Sequence, residues 1–475
     1  MVAQVELNRD GVSAARLLIG GLLFLTACDG GGKSEDTARP AEPVPVSALS
    51  SELSETVTTL VEVAWTQDAA AEAWVEFELD GDWLRSPAVA REAGENSEWL
   101  LGVPAETAVS WRVVTDNRGA EFISDEQSAT TGALPEDMKA PALAAWEASL
   151  ASPDGEAPAG WVLGSVDVDG GGSYSGPFWL FIADRQGRIV WYRDLEYWQS
   201  MFPRVARDGT HIAYDRQYLL DPEGTLSGVL RTTLDGRWEE ETLTPGLGWC
   251  WDETGDGTLL YDQNKGADIG DTVSIQAISP DGAASTVWDC TAWQAAAGDD
   301  DPEHCYSNTI NWVPETDSIL WSTYWGDYAL EVDRASGEVL WHAGQLGGGW
   351  SFEPPDAVFD LQHYPNYTPD GTLLISTHVP GVEGTQRARE YEVDAATQTL
   401  RQVWEYGDGV EQWAQYSGEA VRLSGGNTLV NYGTGGEVRE VTRDGELVWS
   451  LQFGDEHTLG HTQLVADLYA LNQGG

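Results

Sequence analysis

The sequence predicts an all-β protein in which a six-bladed β-propeller follows a small β-sandwich. The chain of 475 residues contains 53 Gly and 23 Trp, and long runs of helix-forming residues are nearly absent. That mix is typical of short strands joined by many turns. The chain is also longer than one domain usually needs. Finally, a unit of turn and strand recurs at steps of about 50 residues, which indicates a repeat architecture.

The repeat is marked by a turn, one or two aliphatic residues and then Trp, as in DRQGRIVW and TRDGELVW. Because a propeller blade cannot bury both of its faces alone, we expect the marking indoles to pack between blades. A parallel β-helix would need shorter and more uniform periods, so a propeller over 161–475 is favoured. The marking residues are Trp191, Trp238, Trp288, Trp341, Trp404 and Trp449.

Residues 51–133 alternate apolar and polar residues between closely spaced turns, which predicts a small β-sandwich. The order of its segments resembles a fibronectin type III-like domain: Trp65 in an early strand, then GVPAETAVSWRV, then a closing TTGALP. That resemblance implies a spacer or binding module without chemistry. Residues 134–160 are rich in Pro and Ala and are predicted to be a linker with at most one short helix.

The N-terminus carries the pattern of an export signal. The apolar run Leu17–Leu25 is too short to span a bilayer but suits a signal-peptide core over 1–28. It ends in LTAC, which resembles a bacterial lipobox and implies lipidation of Cys28; a plain signal peptide with an incidental Cys is the alternative. Residues 29–50 read as a disordered tether. We therefore expect an exported lipoprotein, held by its lipid anchor at the periplasmic face of a membrane or at the cell surface.

Charge and cysteine content limit the partners. A formal charge of −53 repels phosphate backbones, so no nucleic-acid partner is expected. The acidic turns DVDG and DETGDG do not complete a calcium-binding loop, and there is no CxxC, so neither a metal nor a cofactor is predicted.

Export makes a disulfide possible. Cys290 with Cys305 is the favoured pair, since it would close a loop over an acidic run, and a pair that involves Cys250 is the alternative.

Several segments of the repeat region, taken in order, carry a family resemblance: GEVLWHAG, FDLQH, QRAREYEVD, VWEYGDG, VRLSGGNTLVNYG and HTQLVADLY. They resemble the bacterial aryl-sulfate sulfotransferases, which do not use a nucleotide sulfate donor. The resemblance spans about 160–472. It implies that a sulfuryl group moves from a phenolic sulfate ester to a phenol through a sulfo-histidine, with no cofactor.

This chemistry sets physical demands on the residues. An unprotonated imidazole must attack sulfur, a cation must hold the sulfuryl oxygens, and a second histidine must protonate the leaving phenolate. The resemblance implies His304 and His363 as catalytic histidines and Arg387 as the clamp on the oxygens. Asn308, His378 and Arg389 are further candidates. In a propeller, the innermost strands line a central channel. If the chain is an enzyme, we expect His304, His363 and Arg387 to converge at one mouth of this channel.

The sequence also departs from the family pattern. A further channel histidine is expected after Trp404, but 405–456 contains none, and Tyr406, Tyr416 or Tyr432 stands there. The spacing from His304 to Asn308 is longer than in the family, and Ser322-Thr323-Tyr324 replaces an expected Ser-Arg step.

The other histidines receive simpler interpretations. His211, His457 and His461 are predicted to be surface or turn residues, and His342 is predicted to be structural. The alternative to an enzyme is a non-catalytic surface propeller that acts as a binding or scaffold module.

Overall fold

The protein is described by a computed structural model over residues 41–151, 160–168, 176–196, 198–217, 225–264, 272–454 and 456–472. Cys28, the predicted signal peptide and most of the predicted tether lie outside these residues. Within them the fold is all-β, with one α-helix, α1 (Cys290–Ala297), and four 3-10 turns, Ala148–Leu150, Pro302–Cys305, Gly433–Gly435 and Ala470–Asn472. None of the helices in these ranges is long and apolar enough to cross a membrane.

The first nine strands form two sheets. The strands are β1 (Val46–Leu53), β2 (Val61–Gln67), β3 (Ala71–Leu79), β4 (Asp82–Arg85), β5 (Val89–Arg91), β6 (Gly94–Leu100), β7 (Ala108–Asn117), β8 (Ala120–Ile123) and β9 (Gln127–Thr130). One sheet has the order β1-β2-β6 and the other β4-β3-β7-β8, with β5 on β3 and β9 on β7. Their inward side chains, among them Trp65, Phe77 and Trp111, share one apolar core. Strand β1 begins at Val46, so the predicted tether ends earlier than the sequence indicates.

The next strands alternate with tight turns along the rest of the chain. They are β10 (Ala142–Trp146), β11 (Trp161–Asp167), β12 (Phe178–Ala183), β13 (Ile189–Asp194), β14 (Arg204–Val205), β15 (Ile212–Arg216), β16 (Gly228–Thr232), β17 (Glu239–Leu243), β18 (Leu247–Glu253), β19 (Leu259–Gln263), β20 (Ser274–Ile278), β21 (Ala284–Asp289) and β22 (Ser307–Val313). They continue as β23 (Ser318–Thr323), β24 (Tyr328–Asp333), β25 (Val339–Gly344), β26 (Ser351–Glu353), β27 (His363–Tyr367), β28 (Leu373–Val379), β29 (Val382–Asp394), β30 (Thr399–Tyr406), β31 (Gly418–Arg422), β32 (Thr428–Tyr432), β33 (Glu437–Val441), β34 (Leu447–Gln452) and β35 (Thr458–Val465).

These strands pair into six sheets. Sheet 1 is β35-β11-β12-β13, sheet 2 β14–β17, sheet 3 β18–β21, sheet 4 β22–β25, sheet 5 β27–β30 with β26 added, and sheet 6 β31–β34 with β10 added. The first strand of each order is called here the inner strand. Inner strands of neighbouring sheets contact one another, for example β35 with β14, β22 with β27 and β27 with β31. Sheet 1 joins the last strand of the chain to β11, so the two ends of the repeat region close on each other.

The predicted linker differs from the structure. Residues 142–146 form β10, which pairs with β34 as an outer strand of sheet 6. The segment ALAAW has no alternation of apolar and polar residues, so its sequence does not predict a strand. Its strand hydrogen bonds are made with β34. The described residues of this stretch, 134–151 and 160, also contain the 3-10 turn Ala148–Leu150.

The repeated tryptophans join neighbouring sheets. Trp191 of sheet 1 donates its indole N–H to the Leu234 carbonyl in a turn of sheet 2, at 2.7 Å. Trp449 of sheet 6 donates to the Arg185 carbonyl in a turn of sheet 1, also at 2.7 Å. Buried indole N–H groups need such partners. Both of these indoles therefore combine apolar packing with a directional bond to the next sheet.

The two-sheet N-terminal domain packs directly on the repeat region. Trp99 and Leu101 share an apolar core with residues of sheet 1 such as Trp191. Trp99 also donates its indole N–H to Asp235 at 3.1 Å, and the Tyr192 hydroxyl lies 3.0 Å from Thr58 Oγ1. The contact is therefore made by side chains of both regions, in addition to the covalent connection through 134–160.

Candidate active site

One cavity of about 540 Å³, called here the channel cavity, lies where the inner strands of the sheets meet. Every sheet contributes at least one residue from its inner strand or from the segment just before it. Six of these, one from each sheet in the order 1 to 6, are His461, Phe202, Trp249, Asn308, His363 and Glu419. Residues that are remote in sequence thus share one site because the inner strands contact one another.

The lining of the channel cavity is aromatic. Trp249, Tyr306, Tyr324, Trp325 and Tyr416 all face it, together with Phe202 and Tyr364. Of the residues that the structure places around it, none is Lys or Arg, and Glu419 is the one carboxylate. Flat rings with a few convergent polar groups are typical of a pocket for an aromatic small molecule.

His363 opens β27 and is 9% exposed. Its Nδ1 lies 3.1 Å from the Leu361 carbonyl oxygen. Because a carbonyl oxygen only accepts, Nδ1 carries the hydrogen and the lone pair of the neutral ring is on Nε2. Burial lowers the pKa of His363 to about 3, with the charge of nearby His378 as the second cause. The ring is therefore neutral near pH 7, as a nucleophilic imidazole must be.

The backbone around His363 is in an unusual conformation. Leu361 and Tyr364 have φ of 45° and 53°, a region that bulky L-residues rarely adopt and that costs roughly 1–3 kcal/mol each. The side chain of Gln362, between them, is fully buried and donates to the carbonyls of Thr323 and Tyr328 in sheet 4. Contacts with the neighbouring sheet therefore hold the His363 segment in place.

His461, in β35, is the second histidine of the cavity. Its Nδ1 lies 3.0 Å from Glu419 Oε1, so Nδ1 carries a hydrogen and Nε2 is the other ring nitrogen available for proton transfer. The other oxygen of Glu419 accepts the Thr462 backbone N–H at 3.2 Å. The His461 ring stacks on Tyr364 with centroids 5.0 Å apart. A carboxylate in this position orients an imidazole and stabilises its protonated form.

The prediction of a surface or turn residue is wrong for His461, which is buried in β35. His211 and His457 lie in turns, as predicted, but their side chains are buried. His211 packs against Trp238 with ring centroids 4.2 Å apart. The functional interest of His461 depends on ring closure, because the last strand reaches the cavity only by pairing with β11. One sequence signal was available: Leu459-Gly460-His461 repeats the Leu-x-His pattern of Leu361-Gln362-His363.

His304, the other predicted catalytic histidine, is not among the residues that line the channel cavity. It belongs to the 3-10 turn Pro302–Cys305, and its side chain is 39% exposed. Its Nδ1 lies 2.8 Å from Asp299, and this hydrogen bond raises the pKa of His304. The structure therefore does not bring His304 and His363 together in this cavity, and His304 lies in a partly exposed, acidic environment.

Arg387, the predicted clamp on the sulfuryl oxygens, is not among the residues that line the channel cavity. Its guanidinium donates to the Gly407 carbonyl and to Asp408 at 3.0 Å, and Nε lies 3.5 Å from Glu405. The fallback candidate, Arg389, is bound by the same Glu405 at 2.6 Å. Both cations are paired within sheet 5 because they face the carboxylates and carbonyls of β30 and the turn after it.

The remaining candidates divide between the cavity and the core. Asn308 lines the cavity and donates its amide N–H to the Gln362 carbonyl at 2.6 Å, so it supports the His363 segment. His378 is buried outside the lining, with its ring edge-on to Trp413 at 6.2 Å, and burial lowers its pKa. Of the tyrosines that stand in place of the expected histidine, Tyr416 lines the cavity.

Cys290 and Cys305 form a disulfide. Cys305 directly precedes the lining segment 306–309, so the disulfide fixes one wall of the cavity. Cys250 is a buried free thiol whose Sγ lies 3.4 Å from Ser307 Oγ. Within the described ranges there is no group of three or more His, Cys, Asp or Glu that could hold a metal ion. Part of the acidic turn DVDG lies outside those ranges.

A second cavity of about 820 Å³ contains the cations that the first lacks. Arg204 and Arg207 line it, and both donate to Asp252. Tyr364 lines both cavities. The two arginines therefore share this second cavity with Tyr364 and are already paired with a carboxylate.

Residues 299–454 match the family model described as arylsulfotransferase (ASST). The resemblance to aryl-sulfate sulfotransferases is thus confirmed over these residues, which include His304, His363 and Glu419 but stop before His461. No curated protein matches the chain significantly.

Two similar solved structures are a protein of unknown function from Bacteroides caccae and TolB from Acinetobacter baumannii. The first has 15% identity and a TM-score of 0.44, and the match covers 65% of this chain and 100% of that one. The second has 10% identity and a TM-score of 0.42, with 77% and 80% covered. Both similarities are distant and concern the backbone alone.

Proposed function

We propose that the protein transfers a sulfuryl group from an aryl sulfate to a phenol in the channel cavity. The observation that carries this proposal is the state of His363: a neutral ring with its lone pair on Nε2, at the wall of an aromatic cavity. The family match at 299–454 supplies the reaction class. The aromatic lining suits the rings of both substrates.

In the first step, His363 Nε2 attacks the sulfur of the aryl sulfate. A nitrogen–sulfur bond forms as the bond between sulfur and the phenolic oxygen breaks, and the electron pair of that bond leaves with the phenolate. Protonated His461 gives its Nε2 proton to the phenolate, as a general acid does. The phenol leaves, and the sulfuryl group stays on His363.

Charge on the sulfuryl oxygens needs a positive partner. The structure places no Lys or Arg around the channel cavity, so the imidazolium of His461 is the cation of this proposal. Glu419 stabilises that imidazolium through the hydrogen bond to Nδ1. This assignment replaces the arginine clamp that the family resemblance implies.

In the second step, the acceptor phenol gives its proton to His461 Nε2 and attacks sulfur. The new bond between oxygen and sulfur forms as the nitrogen–sulfur bond breaks. His363 returns to its neutral form and His461 to its protonated form, so the catalyst is unchanged. The stacking of His461 on Tyr364 keeps the imidazole plane fixed between the two half-reactions.

The test is an assay with a chromogenic aryl sulfate and a phenol acceptor. We expect turnover with the wild-type chain, loss of turnover in His363→Ala, and near wild-type turnover in His304→Ala. A peptide containing sulfated His363 should be found by mass spectrometry after quenching without an acceptor. Equal loss in both variants, or a sulfated His304 peptide, would contradict the assignment.

None of the described residues that line the cavity is Lys or Arg, and this favours one second candidate, a binding module for neutral aromatic molecules. It is distinguished by the part of the tryptophan fluorescence that is lost in a variant with Trp249→Phe and Trp325→Phe, since both residues are in the lining. A phenol that quenches this fluorescence in a chain without any turnover would support the binding module in place of the transferase.

We further propose that sheets 1 to 6 are the blades of a six-bladed β-propeller and that 46–130 form a fibronectin type III-like sandwich. The contacts between successive inner strands and the pairing of β35 with β11 support the first assignment. The two-sheet pairing around Trp65 supports the second. Both are tested by an experimental structure at a resolution that shows strand order.

We also propose that the protein is an exported lipoprotein anchored through Cys28. The support is the LTAC motif after an apolar run and the disulfide between Cys290 and Cys305, which is typical of an oxidising compartment. Metabolic labelling with a fatty-acid analogue tests the anchor. We expect label in the wild-type protein and none in Cys28→Ala.

A further inference from the structure

The turn Tyr324–Asp327 connects the aromatic wall of the cavity to the His363 segment. It follows β23 and supplies Tyr324 and Trp325 to the cavity lining. Its last residue, Asp327, lies in sheet 4 but reaches the neighbouring sheet. Asp327 Oδ1 accepts the Leu361 backbone N–H at 2.7 Å.

Leu361 is also the residue that sets the tautomer of His363. Its carbonyl accepts the hydrogen of His363 Nδ1 at 3.1 Å. With φ at 45°, Leu361 has a conformation that its side chain does not favour. The Asp327 carboxylate therefore holds one end of a strained residue, and the other end of that residue orients the imidazole.

The position of Asp327 is itself closely determined. Its Oδ2 accepts from Gln345 Nε2 at 2.9 Å, and its carbonyl accepts the Gln345 backbone N–H at 2.8 Å. A Cβ at Gly344 would collide with that same carbonyl, so the glycine permits the close approach of these two backbone segments. The carboxylate is thus presented to Leu361 by a rigid frame.

Asp327 is kept there at an energetic cost. The pKa of Asp327 is raised to about 6, chiefly by burial and also by the neighbouring charge of Asp360, although the hydrogen bond from the Leu361 N–H and the charge of His304 both lower it. A carboxyl group held in such a place is more typical of a functional site than of a stabilising turn.

We propose that Asp327 is a positioning residue that fixes the Nδ1–H tautomer and the orientation of His363. Without this acceptor, the Leu361 N–H loses its partner, and the left-handed backbone of Leu361 can relax. The Leu361 carbonyl then turns away from Nδ1, and the ring distributes its hydrogen between both nitrogens. The consequence for turnover depends on the proposed sulfuryl transfer, whereas the tautomer does not.

The experiment uses the full chain with ¹⁵N-labelled histidine and compares Asp327→Ala, Asp327→Asn and Asp317→Ala. Asp317 is a matched control, since it is also a left-handed Asp in a turn of sheet 4, but its partners are Trp312 and Arg334. The ¹⁵N chemical shifts of the imidazoles report the tautomers, and His363→Ala assigns the signal.

We expect a single Nδ1–H tautomer for His363 in the wild type and in Asp317→Ala. Asp327→Ala should give a mixture, and Asp327→Asn, which keeps an oxygen acceptor, should restore the single form. Turnover should fall on the order of 10²-fold in Asp327→Ala, in kcat more than in KM, because a displaced nucleophile reacts slowly once substrate is bound.

An unchanged His363 tautomer in a folded Asp327→Ala variant would overturn the proposal. If that variant does not fold, Asp327→Ser is used instead, since its hydroxyl is too short to reach Leu361. A wild-type chain that shows the predicted tautomers but no turnover would refute the proposed function and leave the positioning role supported.

Discussion

His363 and His304 stand at comparable places in neighbouring sheets but have opposite environments. His363 is the first residue of the inner strand β27, and His304 lies three positions before the inner strand β22. His363 is 9% exposed with a pKa lowered to about 3. The side chain of His304 is 39% exposed, and Asp299 raises its pKa.

The difference shows that a few residues along an inner strand decide whether a histidine is buried with a lowered pKa or partly exposed with a raised pKa. The turn before β22 is lengthened by the acidic run and closed by the Cys290–Cys305 disulfide, and this geometry leaves His304 in solvent. The segment before β27 is instead drawn into sheet 4 by Gln362.

Replacement of His363 should have the largest effect on kcat of sulfuryl transfer. We expect His363→Gln to lower kcat of sulfuryl transfer by at least about 10³-fold, as for removal of a catalytic nucleophile. His304→Gln should change kcat by less than about twofold, because the ring is outside the cavity. Steady-state kinetics with one donor and one acceptor measures both. A larger loss in His304→Gln would reverse the comparison.

The disulfide beside His304 should contribute to stability. It closes a loop with a sequence separation of 15 residues, and a loop of that length is worth about 3 kcal/mol. Cys290→Ala with Cys305→Ala should therefore lower the melting temperature measured by calorimetry. Reduced wild-type protein should melt close to the double variant. Identical melting of oxidised and reduced wild type would show that the loop is held by its other contacts.

Replacement of Glu419, the partner of His461, should lower kcat less than replacement of His363. Glu419→Gln keeps the shape of the side chain but removes the charge that stabilises the imidazolium. We expect a loss in kcat on the order of 10²-fold, within the usual range for general acid–base catalysis. Glu405→Gln, which faces Arg387 and Arg389 outside the cavity, is the matched control. Equal activity of the two variants would remove His461 from the mechanism.

His363 and His304 should also have opposite effects on how the free energy of unfolding changes with pH. The pKa of His363 in the folded chain, about 3, lies below the value of about 6.5 in an unfolded chain, so the unfolded state binds the extra proton between these values. As pH falls from 7 to 5, His363 should cost about 2 kcal/mol of unfolding free energy. Urea unfolding of His363→Gln should therefore show a weaker pH dependence than wild type.

For His304, the raised pKa reverses the sign of the pH dependence of the unfolding free energy. Its ion pair with Asp299 stabilises the fold below the unfolded pKa, and this contribution is lost as pH rises through the folded pKa. Because the pair is largely exposed, we expect a small effect. His304→Gln should lower the unfolding free energy slightly at pH 6 and leave it unchanged at pH 9. A larger decrease in the unfolding free energy at pH 9 than at pH 6 would contradict this pH dependence.

Much of the site could not be predicted from the sequence because it depends on distances across the sheets. The motif around His363 was sufficient to select that residue, and its neutrality follows from burial in β27. Arg387 was selected by the same motif logic, but the carboxylates of Glu405 and Asp408 bind its guanidinium. His461 was missed because its strand reaches the cavity only through closure on β11.

The sequence by itself determined the all-β character, the approximately 50-residue repeat and the tryptophans that join the sheets, because periodicity and turn chemistry are local properties. Only the tertiary structure decided which polar residues face one another. Burial sets the charge of His363, Glu419 sets the orientation of His461, and Asp327 reaches Leu361 from another sheet. Each of these depends on contacts between residues that are far apart along the chain.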